Sequence, residues 1–435
     1  MSTTSELSNY IHACLPNVTG VGHGYKVTGG KQTSQFGLII TVKKKLPKYM
    51  LSPKALIPEE IDGEVTDVIE ADFQALPLLT EEMPRVMGAA GTRTGKNRRA
   101  PGGVSVGHPL ITAGTLGGWL YHGSDVVMLS NNHVLANQNA AEIGDPIYQP
   151  GVYDGGTSAD TIAHLTAFHK IDFAGGDNVV DAAIAKVINI ADVDWQTLGI
   201  TTVPITYRVA PAVGMPVTKS GRTTGVTKGR ISSIDWSGYV TYGYRQTAFY
   251  INQIWISSIG FIAGGDSGSW LLQDKETTPD TIIGLCFAGT QDGQAVANPI
   301  IPVFEALGIE LTPPATLEGY VYLNGGIITG AYVVGLDPAW GKLSIASSDS
   351  NGKYSLPDAG HINRMMSLAS HYEYEGKVYQ GCYWKKIISD PDTQDINLEE
   401  YDAVSNGLQM NFKFLGGVGW HELDLLLEQY KSVWN

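Results

Sequence analysis

Residues 264–272 read Gly-Gly-Asp-Ser-Gly-Ser-Trp-Leu-Leu. The simplest account of Gly264-Gly265-Asp266-Ser267-Gly268 is a glycine-rich turn. Its chemistry allows more. A nucleophilic serine needs a tight turn on which two backbone N–H groups converge, and flanking glycines permit that backbone shape. On this reading Ser267 is the nucleophile, and the N–H groups of Gly265 and Ser267 form an oxyanion hole. A serine hydroxyl is inert without a base, and the base needs a carboxylate on its other nitrogen.

Upstream, VVMLSNNHVLA at 126–136 sets His133 in a polar turn just after an apolar strand. Taken singly, such a histidine is more often a satisfied turn or core residue. In DNVVDAAIAKV at 177–187, Asp181 lies inside an apolar run, where a carboxylate is costly unless something donates to it. Backbone amides would serve, and so would a histidine ring N–H. Asp177, beside Gly175 and Gly176, reads as a loop residue. Together the three side chains form an ordered set, His133, Asp181 and Ser267, separated by 48 and 86 residues. That order is the one chymotrypsin-type enzymes use, distinct from those of subtilisins and α/β-hydrolases.

The blocks GTLGGWLYHGSDVVMLSNNHVLA, DNVVDAAIAKV, KSGRTTGVTKGRI and GGDSGSWLL resemble, in the same order, those of bacterial trypsin-like serine peptidases of the chymotrypsin fold. They fall within residues 102–312. The resemblance implies Ser267 as nucleophile, His133 as general base and then acid, and Asp181 as its orienter, with no metal and no cofactor. It places Phe261 at the floor of the specificity pocket, which suggests a small or apolar substrate side chain there. It also places Gly284, Phe287 and Gly289 on the strand that pairs with an extended substrate. Ser269 stands where the family keeps a second glycine, and Val134 where secreted relatives keep a half-cystine. In such relatives a freed N-terminus inserts near the aspartate before the nucleophile, here Asp266. GRTTG at 221–225 lacks the ending of a phosphate loop and reads as a turn between strands.

The fold expected is mainly β: a chymotrypsin-like double β-barrel at 102–312, a small α+β N-terminal domain at 1–90 and a C-terminal β-sandwich at 313–435. Short apolar strands separated by Gly, Asp, Asn and Ser clusters, with 52 Gly and 21 Pro in 435 residues, support strands over helix bundles. GTRTGKNRRAPGG replaces apolar residues with small and basic ones, so 91–101 reads as an exposed linker, with Arg93, Lys96, Arg98 and Arg99 as candidate cleavage points. GYVY, GAYVVGL and SDSNGKYSL at 316–357 are similar, less specifically, to a carboxypeptidase-regulatory-like, transthyretin-type sandwich. Asn351-Gly352 within it signals a hairpin turn. From His421 onward, Leu423, Leu426, Leu427, Tyr430, Val433 and Trp434 recur at helical spacing.

A formal net charge of −14 opposes binding to a phosphate backbone, so no nucleic-acid partner is expected. No apolar run reaches the length of a membrane helix and no secretory signal opens the chain, which points to a cytoplasmic protein with no membrane partner. Cys14, Cys286 and Cys382 read as free thiols. The function expected is peptide-bond hydrolysis through an acyl-enzyme, restrained by the accessory domains. Partners are a protein or peptide substrate and a regulatory protein acting through the N- or C-terminal domain. A non-catalytic or latent peptide-binding module is the alternative.

Overall fold

The strands that position the site grow from short apolar runs. Ile282–Gly289 (IIGLCFAG) is buried at every position, as a strand packed on both faces must be. Asp125–Ser130 and Ala183–Val187 are buried over VMLS and AIA and turn polar where they meet water. The structure, a computed structural model, describes residues 4–15, 17–29, 31–75, 89, 91–200, 203–204, 206–207, 209–243, 246–275, 281–337, 342–361, 365–374, 377–387 and 392–400. The described residues are mainly β. They fall into two units, Met1–Leu311 and Thr312–Asn435. The helical pattern expected beyond His421 lies outside the described residues.

Within the first unit, a six-stranded antiparallel sheet runs in the order Pro146–Tyr148, Thr161–Phe168, Ala183–Val187, Asp125–Ser130, Gly118–His122, Ile309–Glu310. Its side chains, with Leu116, Val134 and Leu135, close one apolar core. A larger sheet runs through Gln246–Ile256, Ala295–Pro299, Ile282–Gly289, Trp270–Gln273, Pro216–Gly221 and Gly225–Tyr242. Val217, Ile231, Ile256 and Leu271 form a second core beneath it.

The described strands among the first ninety residues join the larger sheet of the first unit, while Ile11, Val18, Val21, Leu38, Ile40 and Val42 gather in an apolar core of their own. Val18–Thr28 pairs with Gly225–Tyr242 through Gly20 opposite Gly238 and Val21 opposite Ser237, and Lys31–Val42 and Glu64–Glu70 continue the same sheet. The reason is visible in TGVGHGY at 19–25. A Cβ on Gly20 would lie 2.5 Å from the Trp236 ring, and one on Gly24 would lie 2.4 Å from the Ser232 carbonyl. Glycine at alternate positions strips one face of the strand, so it can lie directly on its neighbour.

Residues 91–101, expected as an exposed linker, are tied into the first unit, with Gly91, Thr92, Lys96, Arg98 and Arg99 left exposed. Arg93 is half-buried and donates to the carbonyls of Leu198, Gly103 and Gly221 and to Ser220 Oγ. Arg98 donates to Gln149, and Ala100–Gly102 pairs in parallel with Val193–Thr197. Arg93 packs here because backbone carbonyls satisfy its donors, which composition does not reveal.

The second unit has its own core of Leu317, Val333, Leu356, Leu368 and Ile396. Its turn at Asn351-Gly352 forms, with the Gly352 N–H donating to the Asp349 carbonyl and Gly352 at φ 73°. The strands on either side find different partners: Lys342–Ser347 pairs with Tyr332–Asp337, and Lys353–His361 with Pro314–Leu323. The expected hairpin is therefore a turn that passes the chain from one pairing to another.

Candidate active site

His133 sits in a single turn of helix, Asn132–Leu135, that follows the Asp125–Ser130 strand. Asn131, just before it, donates its side-chain amide to the Asp181 carbonyl at 2.7 Å, fixing the two segments together. Asp181 precedes the Ala183–Val187 strand and is fully buried. Its Oδ2 lies 2.6 Å from His133 Nδ1, and its Oδ1 accepts from the His133 backbone N–H at 3.3 Å. Since the carboxylate accepts at Nδ1, that nitrogen carries the proton and Nε2 is left as the base. Nε2 is buried and has no hydrogen-bond partner among the described residues.

A third donor to Asp181 was not apparent in the sequence. Tyr242, at the end of Gly225–Tyr242, donates its hydroxyl to Oδ2 at 2.8 Å. The Tyr250 hydroxyl is 2.6 Å away. With the Tyr242 proton on Asp181, Tyr250 must be the donor of that second bond. Burial, reinforced by the Asp181 charge, pushes both phenols well above the ordinary tyrosine range, so they remain donors.

Ser267 is 1 % exposed on the turn ahead of the Trp270–Gln273 strand. Gly265 has φ 92° and Gly268 has φ 95°, the left-handed backbone the turn requires. The space around Gly268 is also closed: a Cβ there would lie 2.1 Å from Ser130 Oγ and 2.2 Å from the Thr115 carbonyl. The peptide planes around Ser267 are fixed from behind. Thr223 Oγ1 donates to the Gly264 carbonyl at 2.6 Å, and Ser269 N–H donates to the Asp266 carbonyl at 3.0 Å. In a trans peptide the N–H points opposite to the C=O, so the Gly265 and Ser267 N–H groups face away from these partners. Neither donates to an acceptor among the described residues.

The structure brings His133 and Asp181 into contact, whereas the Ser267 hydroxyl donates to the Phe287 carbonyl at 3.3 Å. Phe287 and Gly289 lie at the end of the Ile282–Gly289 strand, with Gly284 nearer its start. Phe261 is buried in the apolar core with Val217, Ile231 and Ile256 rather than facing an open cleft.

Beneath the turn lies a buried ion pair. Lys219 Nζ is 3.1 Å from Asp266 Oδ2. Burial pulls the Lys219 ammonium below the ordinary lysine range, and the Asp266 charge opposes it. Asp266 also accepts from the backbone N–H groups of Ala263, Thr223 and Thr224 and from Thr224 Oγ1. GRTTG is thus a turn between paired strands, Gly221 opposite Gly225, and its donors serve the protein's own carboxylate. The partner of Asp266 is thus an internal lysine, Lys219. Burial pushes the neighbouring Cys286 thiol up to about 12, which leaves it unreactive. Among the described residues no group of three or more His, Cys, Asp or Glu is arranged to hold a metal ion, and no helix is long and apolar enough to cross a membrane.

No family model and no curated protein matches the chain. Among solved structures, Thermobifida fusca protease A is 19 % identical and covers 48 % of this chain and 97 % of its own, with a TM-score of 0.35. A glutamic-acid-specific serine protease is 20 % identical over 49 % of this chain and 100 % of its own, also at 0.35. Cellulomonas bogoriensis chymotrypsin is 18 % identical over 48 % of this chain and 97 % of its own, at 0.34.

Proposed function

We propose that the chain is a serine endopeptidase acting through Ser267, His133 and Asp181. The observation that carries this reading is one imidazole: His133 is held by Asp181 through Nδ1 at 2.6 Å, while Nε2 stays buried and unpartnered. A base so tethered has one free acceptor, of the kind a nucleophile's proton needs. In the proposed cycle the Ser267 hydroxyl leaves the Phe287 carbonyl and passes its proton to Nε2 as Oγ bonds to a peptide carbonyl carbon. The carbonyl oxygen becomes an oxyanion bound by the Gly265 and Ser267 N–H groups. Nε2 then protonates the leaving amine as the C–N bond breaks, and water releases the acyl group by the reverse transfers.

The six-stranded sheet and the larger sheet each close an apolar core of their own, which supports reading the first unit as a double β-barrel, and the apolar core of the second unit supports reading that as a sandwich. The substrate is a peptide or protein whose backbone pairs with the strand that carries Phe287 and Gly289. One observation favours a latent form of the same enzyme: Ser267 Oγ donates to Phe287 O and not to Nε2. Incubating the full chain with a peptide library and reading new termini by mass spectrometry tests the proposal. Cleavage lost in Ser267→Ala supports it, and cleavage that persists in that variant contradicts it.

A further inference from the structure

The Ile282–Gly289 strand is flanked on both sides over its first half. Trp270–Gln273 pairs with it through Trp270 opposite Leu285, Leu271 opposite Gly284 and Leu272 opposite Ile282. Ala295–Pro299 covers the other edge along its length. Trp270–Gln273 begins just after the turn that carries Ser267, so it cannot reach Ala288 and Gly289. That remaining edge is the place beside the nucleophile where an extended peptide can add a strand.

It is already filled by the chain itself. Gln74–Ala75 pairs antiparallel with it, Ala75 opposite Ala288 and Gln74 opposite Gly289. Gln74 also pairs with Thr241 on its other side, and the Thr241 N–H donates to the Phe73 carbonyl at 3.0 Å. Phe73 is fully buried with Tyr242, Tyr250 and Phe287 around it, its ring 4.8 Å from that of Trp236. The filled edge starts one residue from Phe287, whose carbonyl accepts the Ser267 hydroxyl.

We propose that Phe73–Ala75 occupies the strand position of a peptide substrate, and that the apolar seat of Phe73 is the subsite that selects an aromatic substrate residue. The chain is then restrained by its own segment, a consequence that rests on the peptidase reading. A tethered occupant acts at an effective concentration of the order of millimolar, so a free peptide of micromolar affinity meets a filled groove. Release requires only that the segment leave the edge, because Phe287, Ala288 and Gly289 keep their pairing with Ala295–Pro299.

The test measures binding of an N-terminally fluorescein-labelled Ala-Asp-Phe-Gln-Ala amide, the sequence of residues 71–75, to full-length chains by fluorescence anisotropy. Phe73→Ala and Ala75→Arg each unseat the segment, the first by removing its anchor and the second by placing a charge opposite Ala288. Each is expected to bind the peptide at least tenfold more tightly than the parent, and a peptide with alanine in place of phenylalanine is expected to lose that gain. An Ala75→Cys/Ala288→Cys chain keeps both small side chains and, once oxidised, should bind no better than the parent. Equal affinity of the parent and every folded release variant overturns the proposal, as does failure of the two cysteines to cross-link under mild oxidant. Reaction of Ser267 with a fluorophosphonate is scored on the same samples. Its absence counts against the peptidase reading alone, since peptide binding needs no chemistry at Ser267.

Discussion

Lys219 and Asp266 form an ion pair in which neither side chain is exposed, Nζ lying 3.1 Å from Oδ2. Asp266 adjoins Ser267, so the charge that fixes this carboxylate also fixes the turn from which the Gly265 and Ser267 N–H groups project. Removing one partner of a buried pair leaves the other charge uncompensated, at a cost of about 3–5 kcal/mol. Lys219→Met is expected to lower the melting temperature and to abolish reaction of Ser267. Lys219→Met/Asp266→Asn is expected to recover stability, because the orphaned charge is gone, without recovering full reactivity. Thermal melts and labelling rates of the two variants check this.

Tyr242 is a positioning residue that acts through Asp181. Tyr242→Phe removes the 2.8 Å donor to Oδ2 and leaves a buried acceptor short of one bond, which costs about 1–3 kcal/mol. The expected result is a kcat about tenfold lower with KM unchanged. Tyr250→Phe, one bond further from the carboxylate, should have a smaller effect of the same kind.

Gly268 cannot become alanine without moving Ser130 or the Thr115 backbone. Gly268→Ala is expected to cost more than about 2 kcal/mol, adding φ strain to the clash, and to abolish labelling of Ser267 even where the chain still folds. A denaturant midpoint and a labelling rate measured on the same sample separate the two losses.

Stability should also depend on pH through the N-terminal strand. His23 is held by Asp235 at 2.6 Å and by Glu64 at 3.0 Å. The hydrogen bond to Asp235 raises the imidazole above its ordinary value of 6.5, against a smaller opposing effect of burial. Burial alone would raise the Asp235 carboxyl, but hydrogen bonds from the His23 ring and backbone N–H outweigh it and hold that carboxyl below its ordinary value. A raised histidine contributes stability that is whole below pH 6.5 and is lost as pH rises through the folded value. The depressed Asp235 contribution runs the other way, lost as pH falls through its lowered value. Melting temperature is therefore expected to fall across the raised histidine range in the parent and to be flatter there in His23→Gln. Parallel curves would contradict the linkage.

The contact of His133 with Asp181 is legible in the sequence because a carboxylate in an apolar run demands a donor and a histidine supplies one, whereas the bond from Ser267 to the Phe287 carbonyl has no sequence signal. Lys219 was not legible as a partner. A lysine inside an apolar strand reads as a side chain turned to water, and only the fold brings Asp266 beneath it. Tyr242 carries no local signal, since its role depends on a hydroxyl reaching a carboxylate 61 residues away. That the N-terminal strands share a sheet with Gly225–Tyr242 rests on TGVGHGY at 19–25, whose alternate glycines let one strand lie flat on another. The packing of Arg93 within 91–101 has no local signal because two of the carbonyls that satisfy it, those of Leu198 and Gly221, lie 105 and 128 residues away.

The most direct measurement is the labelling by a fluorophosphonate of three chains that all carry Phe73→Ala to open the cleft, one with no other change, one with His133→Ala and one with Ser267→Ala, with the modified residue mapped by mass spectrometry. Modification at Ser267 alone, slowed by about 10⁴-fold without His133 and absent without Ser267, is the expected result. Modification at another serine, or a rate at Ser267 indifferent to His133, would contradict the account.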